Sequence, residues 1–297
     1  MESSILSAVI LPLALATIMI GIGLELKKDD FLLLFQKPKS VIAGLIAQML
    51  LLPLLGILVG FYLFDFSSPL IGAGFVIIAL SPGGVTSNLF TLLAKGDLAL
   101  AVTLTVIVSV ITPFWFPVAA ALILTAVEGA DAIKLDILKT IIELFAITLI
   151  PIVIGMFIKY KNEAFAVRMQ KMVKTLSTIF LVLVIVALVI KHRDILMANL
   201  VSVAPASLLL VVLAFVVGLL VAKIFSTTAA QSRAISISVG IQNGTLALYI
   251  AATILGIPEL TLAAMFYSLI MFVVGFAAVT LFNKYPSLSG ENAVVAA

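Results

Sequence analysis

Two stretches of this chain concentrate the residues that can do chemistry. One is Ser81-Pro82-Gly83-Gly84-Val85-Thr86-Ser87-Asn88; the other is Ser236-Ile237-Ser238-Val239-Gly240-Ile241-Gln242-Asn243-Gly244-Thr245. Each sets glycine among hydroxyl and carboxamide side chains, and each is flanked by apolar sequence. Pro and Gly release backbone groups from a helical ladder. In lipid, released groups must be met by protein or by a watery cavity. Half-helix N-termini at such breaks offer free N–H groups and a positive dipole end, which suit an anion such as a carboxylate. Thr86 and Asn243, beside the breaks, are the best side-chain candidates to bind it. Two interrupted spans in corresponding positions point to a transporter binding site. The plainer alternative is a pair of kinked helices whose Ser and Gly allow close packing.

Composition shows that these stretches lie in a membrane. Of 297 residues, 64% are hydrophobic and 10% charged, and the mean hydropathy is +1.35. A water-facing surface needs far more polar side chains, since soluble domains carry roughly 25% charged residues. The chain has no Cys and a single His, His192. That excludes a disulfide framework, a His/Cys metal site and thiolate chemistry. A membrane-embedded enzyme would need a nucleophile with a base, or metal ligands, and the sequence offers neither. The net charge of +3 is a topology signal, not a sign of nucleic acid.

A span needs about 20 apolar residues. The pattern predicts an all-α integral membrane protein of nine spans, at roughly 5–26, 38–63, 69–95, 97–125, 137–158, 173–190, 200–224, 229–255 and 259–282. The interrupted spans are the third and the eighth. An offset of five makes them antiparallel, as an inverted repeat requires, with halves at about 1–126 and 136–284. With the N-terminus outside and the C-terminus cytoplasmic, 13 of the 17 Lys and Arg residues fall inside; Lys159, Lys161, Arg168, Lys223 and Arg233 are among them. That is the positive-inside pattern of a multi-pass plasma-membrane protein. Residues 1–284 form a single transmembrane unit, and 285–297 read as a disordered tail.

The two stretches, together with Leu93-Ala94-Lys95-Gly96-Asp97 and with Pro12, Met19, Gly21, Leu24 and Asp30-Phe31 near the start, resemble the bile acid:sodium symporter family. The resemblance covers essentially the whole chain, in a nine-span form of a bacterial homologue. It implies panel and core domains, two discontinuous helices crossing mid-membrane, alternating access, and sodium-driven uptake of an organic anion such as a bile acid, pantoate or a 2-oxo acid. Carried over residue by residue, the first sodium site falls on Ser87, Asn88, Thr105 and Ser238, and the second on Gln48, Ser238, Val239, Ile241 and Gln242. No cofactor is implied beyond Na⁺ as coupling ion, and the expected partners are the organic anion, sodium and lipid, with the chain a monomer.

Two positions depart from the family pattern. Ala101 stands where the family has Ser, and Ser238 where it has a Glu shared by both sites. A hydroxyl supplies an oxygen dipole but no charge. A sodium-independent facilitator, or a carrier coupled to another ion, therefore stays open beside the symporter. Among the other acids, Glu25 and Asp97 lie at span ends and Glu143 one turn inside the fifth span, as an interfacial or ion-coupling group. Gln48 serves equally well for an interhelical hydrogen bond or an ion ligand. Thr103, Thr105, Ser109 and Thr112 are expected to bond back to helix carbonyls. Pro113 and Pro117 around Trp115 suggest a kink, and His192 is expected in a solvated loop.

Overall fold

The computed structural model describes residues 9–26, 36–125 and 135–290. Lys27, Lys28 and Lys134, used above for orientation, lie outside them, as do Asp30-Phe31 and the tail beyond 290. The described chain runs α1 (Leu11–Glu25), α2 (Pro38–Leu63), α3 (Pro69–Leu80), α4 (Thr86–Leu93), α5 (Leu98–Thr125), α6 (Ile137–Lys161), α7 (Glu163–Lys191), α8 (Arg193–Ile224), α9 (Ala229–Gly240), α10 (Gly244–Ile254) and α11 (Pro258–Lys284). Among the described residues α2, α5, α6, α8 and α11 are each long and apolar enough to cross a membrane. Leu11–Glu25, Pro69–Leu80, Ile179–Lys191 and Gly244–Ile254 are shorter apolar helices.

Helix starts follow local chemistry. Ser68 accepts from Leu70 N at 3.2 Å, with Pro69 at the first helical position; Pro there lacks only an N–H that would have no helical partner. Thr228 and Gln231 form a reciprocal capping box on α9, and Asn162 caps α7 through Phe165 N at 2.9 Å. Both α7 and α8 begin earlier than the hydropathy suggests, so that His192 is the joint between them rather than part of a loop. Burial and the neighbouring Lys191 push its imidazole below the ordinary value, with Glu259 opposing. Helix α5 continues through Pro113 and Pro117.

Two layers result. Helix α1 packs against α6 and α7, and this group meets the remaining helices mainly through α1–α10 and α5–α6 contacts. In the other layer α8 packs on α9 and α11, α11 on α3, and α2 on α3. Small residues allow the closest approaches. A Cβ at Gly23 of α1 would collide with the Ile152 carbonyl and Gly155 of α6.

Two expectations change. Arg233, counted as a cytoplasmic loop charge, is buried; its guanidinium donates to Ala94 O at 3.1 Å and Ser289 Oγ at 2.9 Å. It caps the carbonyl end of α4, where a cation also complements the helix dipole. The tail expected to be disordered begins with an ordered turn, Pro286–Ser289, whose buried Ser289 receives that bond.

Candidate functional site: the crossover of two broken helices

Helix α3 ends where Pro82, which removes a donor and disfavours the α region for its predecessor, is followed by the poor helix formers Gly83 and Gly84. Ser81 accordingly has φ −70° and ψ 152°. Its own groups cap the helix, N to Ile78 O at 3.2 Å and Oγ to Ile77 O at 3.0 Å. Four residues later the chain resumes as α4.

The second break has no proline. Helix α9 ends at Gly240, and Ile241 is extended, with φ −110° and ψ 101°. Its freed carbonyls are all taken up. Gln242 Nε2 donates to Val239 O at 2.6 Å, the Tyr267 hydroxyl to Gly240 O at 3.0 Å, and Gly84 N to Ile241 O at 2.9 Å. Asn243 caps α10 by accepting from Leu246 N at 3.0 Å, and its own N–H donates to Pro82 O at 2.8 Å. The two breaks are therefore hydrogen-bonded to each other, with Gly83 and Gln242 paired as an antiparallel bridge. Each satisfies a backbone group that the other frees, so part of the demand that water would otherwise meet is met by protein.

The second set of expected cation ligands converges here. A Cβ at Gly83 would lie 3.2 Å from Gln48 Nε2, 3.2 Å from Ser238 O and 3.8 Å from Ile241 O. Gln48 Nε2 faces Gln242 Oε1 at 3.5 Å, a long contact, and Gln48 Oε1 is buried without a hydrogen-bond partner. The Val239 and Ile241 carbonyls already accept from protein donors, which leaves each one further lone pair. The first set lies on α4, α5 and α9, three helices in mutual contact. Ser87 Oγ, Asn88 Oδ1 and Ser238 Oγ are buried without a hydrogen-bond partner. Thr105 Oγ1 donates to Ala101 O at 3.0 Å and can still accept. Unpartnered buried oxygens cost free energy, and neutral oxygens suit a hard cation. The residues present thus fit a sodium ion. Among the described residues no group of three His, Cys, Asp or Glu gathers that could hold a multivalent metal.

Residues 12–199 match the sodium bile acid symporter family. The chain belongs to that family. It is 30% identical over 234 residues to the uncharacterized sodium-dependent transporter YocS of Bacillus subtilis, covering 77% of this chain and 69% of that one. It is 29% identical over 247 residues to the probable chloroplastic sodium/metabolite cotransporter BASS1 of Arabidopsis thaliana, covering 81% of this chain. It is 29% identical over 215 residues to the human P3 protein, covering 72% of this chain. The match spans 58% of the Arabidopsis relative and 44% of the human one.

In this symporter-family chain the expected anion ligands, Thr86 and Asn243, face a common cavity of about 30 Å³. Gln242 and Thr245 also line it, opposite Ile18 of α1 and Leu181 of α7. It sits at the seam of the two layers. Asn243 Nδ2 is buried without a hydrogen-bond partner. Of the remaining acids, Glu143 pairs with Lys139 at 3.8 Å, the interfacial alternative, and Asp97 pairs with Lys37 at 2.8 Å while capping α5 through Leu100 N. Thr103 and Thr112 bond back to helix carbonyls as expected, whereas Ser109 Oγ is buried without a partner.

Sequence reasoning missed three contributors. Tyr267 holds the Gly240 carbonyl from a mainly apolar helix. Arg233 is an arginine inside an apolar segment, which is a visible signal for burial with a partner. Glu25, assigned only to a span end, accepts a 2.7 Å hydrogen bond from Asn88 Nδ2.

Proposed function

We propose that this protein is a secondary carrier of small organic anions that works by alternating access, with weak sodium coupling. The observation that supports it best is the crossover: two interrupted helices joined by their own freed backbone groups, beside a cavity at the seam between two layers. In this reading there are nine spans. They are the five long helices and the four shorter apolar ones, with α3–α4 and α9–α10 each counted as one interrupted span. The third and eighth spans belong to inverted halves at about 1–126 and 136–284 and cross near mid-membrane. Helices α1, α6 and α7 form the panel and the others the core. The N-terminus faces outward and the C-terminus the cytoplasm.

The names of the relatives support sodium as the coupling ion, bound first by Ser87, Asn88, Thr105 and Ser238, and second by Gln48, Ser238, Val239, Ile241 and Gln242. Ser238 occupies the place the family gives to a shared Glu. Losing that charge from a buried site costs several kcal/mol of cation binding. The substrate carboxylate accepts from Asn243 Nδ2 and Thr86 at the start of the half-helices. Pantoate, bile acids and 2-oxo acids are the candidate class. A second reading, a sodium-independent facilitator, draws on the uncharged Ser238 and on the Val239 and Ile241 carbonyls already engaged by protein.

The test is counterflow in proteoliposomes with labelled pyruvate and pantoate, in sodium and in potassium. Saturable exchange, modestly faster in sodium, supports the symporter. Equal exchange in both salts establishes the facilitator. Unsaturable flux overturns carrier transport altogether.

A further inference from the structure

Glu25 is the last residue of α1, and its position is fixed from two sides. Lys159 Nζ of α6 donates to its backbone carbonyl at 2.7 Å. Gln170 of α7 donates to the adjacent Leu24 carbonyl. From that anchored end the side chain reaches across the seam between layers, where Asn88 Nδ2 of α4 donates to Glu25 Oε2 at 2.7 Å. That length is typical of a charge-assisted bond.

We propose that Glu25 is a positioning residue for the first cation site: it orients the Asn88 carboxamide and supplies the negative charge that position 238 lacks. The proposal rests on the sodium reading above. A carboxylate can only accept hydrogen bonds, whereas a carboxamide has one accepting and one donating end. Facing Glu25, Asn88 must present its nitrogen and so turn Oδ1 the other way. That Oδ1 is buried without a hydrogen-bond partner, as is Ser87 Oγ on the neighbouring residue. Both belong to the oxygen set assigned to the first ion. Without an accept-only partner, Asn88 is free to swap N and O and to turn a repelling N–H towards the cation. The carboxylate also lies one carboxamide away from that oxygen set, so its negative charge, reduced but not removed by the Lys159 ammonium beside its backbone, strengthens cation binding there.

The same bond gives the coupling a physical route. Helix α1 belongs to one layer and α4 to the other, so movement of one layer against the other parts Glu25 from Asn88. The oriented oxygen and the nearby charge are then lost together. Sodium binds best where the layers are in contact through this pair, and by reciprocity bound sodium favours that arrangement.

The experiment measures thermal unfolding of the full-length protein in detergent, titrated with NaCl or KCl at matched ionic strength. Wild type, Glu25→Gln, Glu25→Asp and the double variant Glu25→Gln/Ser238→Glu are compared. Glutamine has the size of glutamate but no charge, and it can donate as well as accept. The expected result is a sodium-specific rise in Tm for wild type, with the half-maximal sodium concentration raised about tenfold or beyond measurement in Glu25→Gln. Glu25→Asp keeps part of the sodium response, and the double variant regains it. A purely structural contact would lower Tm equally in both salts and leave the sodium midpoint unchanged. That result overturns the proposal while leaving the sodium reading intact. A wild type with no sodium-specific response overturns both, and counterflow in potassium then identifies the facilitator.

Discussion

Gly84 is the point at which one methyl group should disable the crossover. Its N–H donates to Ile241 O at 2.9 Å, and two residues back Pro82 O accepts from Asn243 N at 2.8 Å. A Cβ at Gly84 would stand 2.9 Å from Gln242 O and 3.3 Å from the carbonyl carbon. Backbone atoms cannot swing aside as a side-chain end can, so the two breaks must move apart. Gly84 is not among the positive-φ residues, so alanine meets no backbone strain there and the cost comes from the contact alone. Overpacking costs about 1–3 kcal/mol, and weakening the two joining hydrogen bonds adds about 1 kcal/mol. The total is about 3 kcal/mol. At about 2 °C or more per kcal/mol for a large chain, Gly84→Ala should lower Tm by about 6 °C. Gly84 also lines the cavity, so transport should fall with stability. Gly290→Ala is the control for a loss of stability away from the breaks: it has φ +89° and open space around its Cβ, so alanine costs about 1–2 kcal/mol of backbone strain there and should leave transport unchanged. The readouts are intrinsic-fluorescence melting in detergent and counterflow in liposomes. Gly84→Ala melting within a degree of wild type, with wild-type transport, would refute this account of how the breaks are held.

Two other outcomes follow from the same site. Ser238→Glu should raise sodium affinity, seen as a Tm that rises with sodium but not potassium, by about 2.7 kcal/mol of stabilisation once sodium reaches a hundred times its Kd; a variant that is less stable and indifferent to sodium would mean that it only buries an unpaired charge. The chain has no native Cys, so single cysteines report topology cleanly. One at the exposed Arg168 should be labelled only from the cytoplasmic side, and one at the exposed Ser67 only from outside; the reverse pattern would invert the proposed orientation.

The crossover was legible in the sequence because its causes are local. Pro82 is followed at once by Gly83 and Gly84, so the ladder is broken at several consecutive residues, unlike at the isolated Pro113 and Pro117 through which α5 continues; Gly240, Gln242, Asn243 and Gly244 interrupt the second run in the same way. What the sequence could not supply was the partner of each released group. Tyr267 and Glu25 act across the fold, and only packing brings Glu25 to Asn88, 63 residues along the chain. Arg233 entered the charge count as a loop charge because a count by residue type does not separate a buried arginine that caps α4 from an exposed one. The starts of α7 and α8 were missed for a different reason: polar residues begin both helices several residues outside their apolar runs, with Asn162 capping α7.

The central claim is that the crossover binds the transported anion, and Asn243 tests it most directly. Its Oδ1 caps α10 while Nδ2 has no hydrogen-bond partner, so Asn243→Asp keeps the cap but replaces the donor with a repelling carboxylate. Counterflow of labelled pyruvate and pantoate should be saturable in wild type. In the variant, KM for the transported anion should rise about tenfold or more, the worth of a hydrogen bond to a charged group, read on folded protein below the lower Tm that a buried carboxylate brings. Saturable counterflow with an unaltered KM in Asn243→Asp would contradict the claim and place the anion elsewhere.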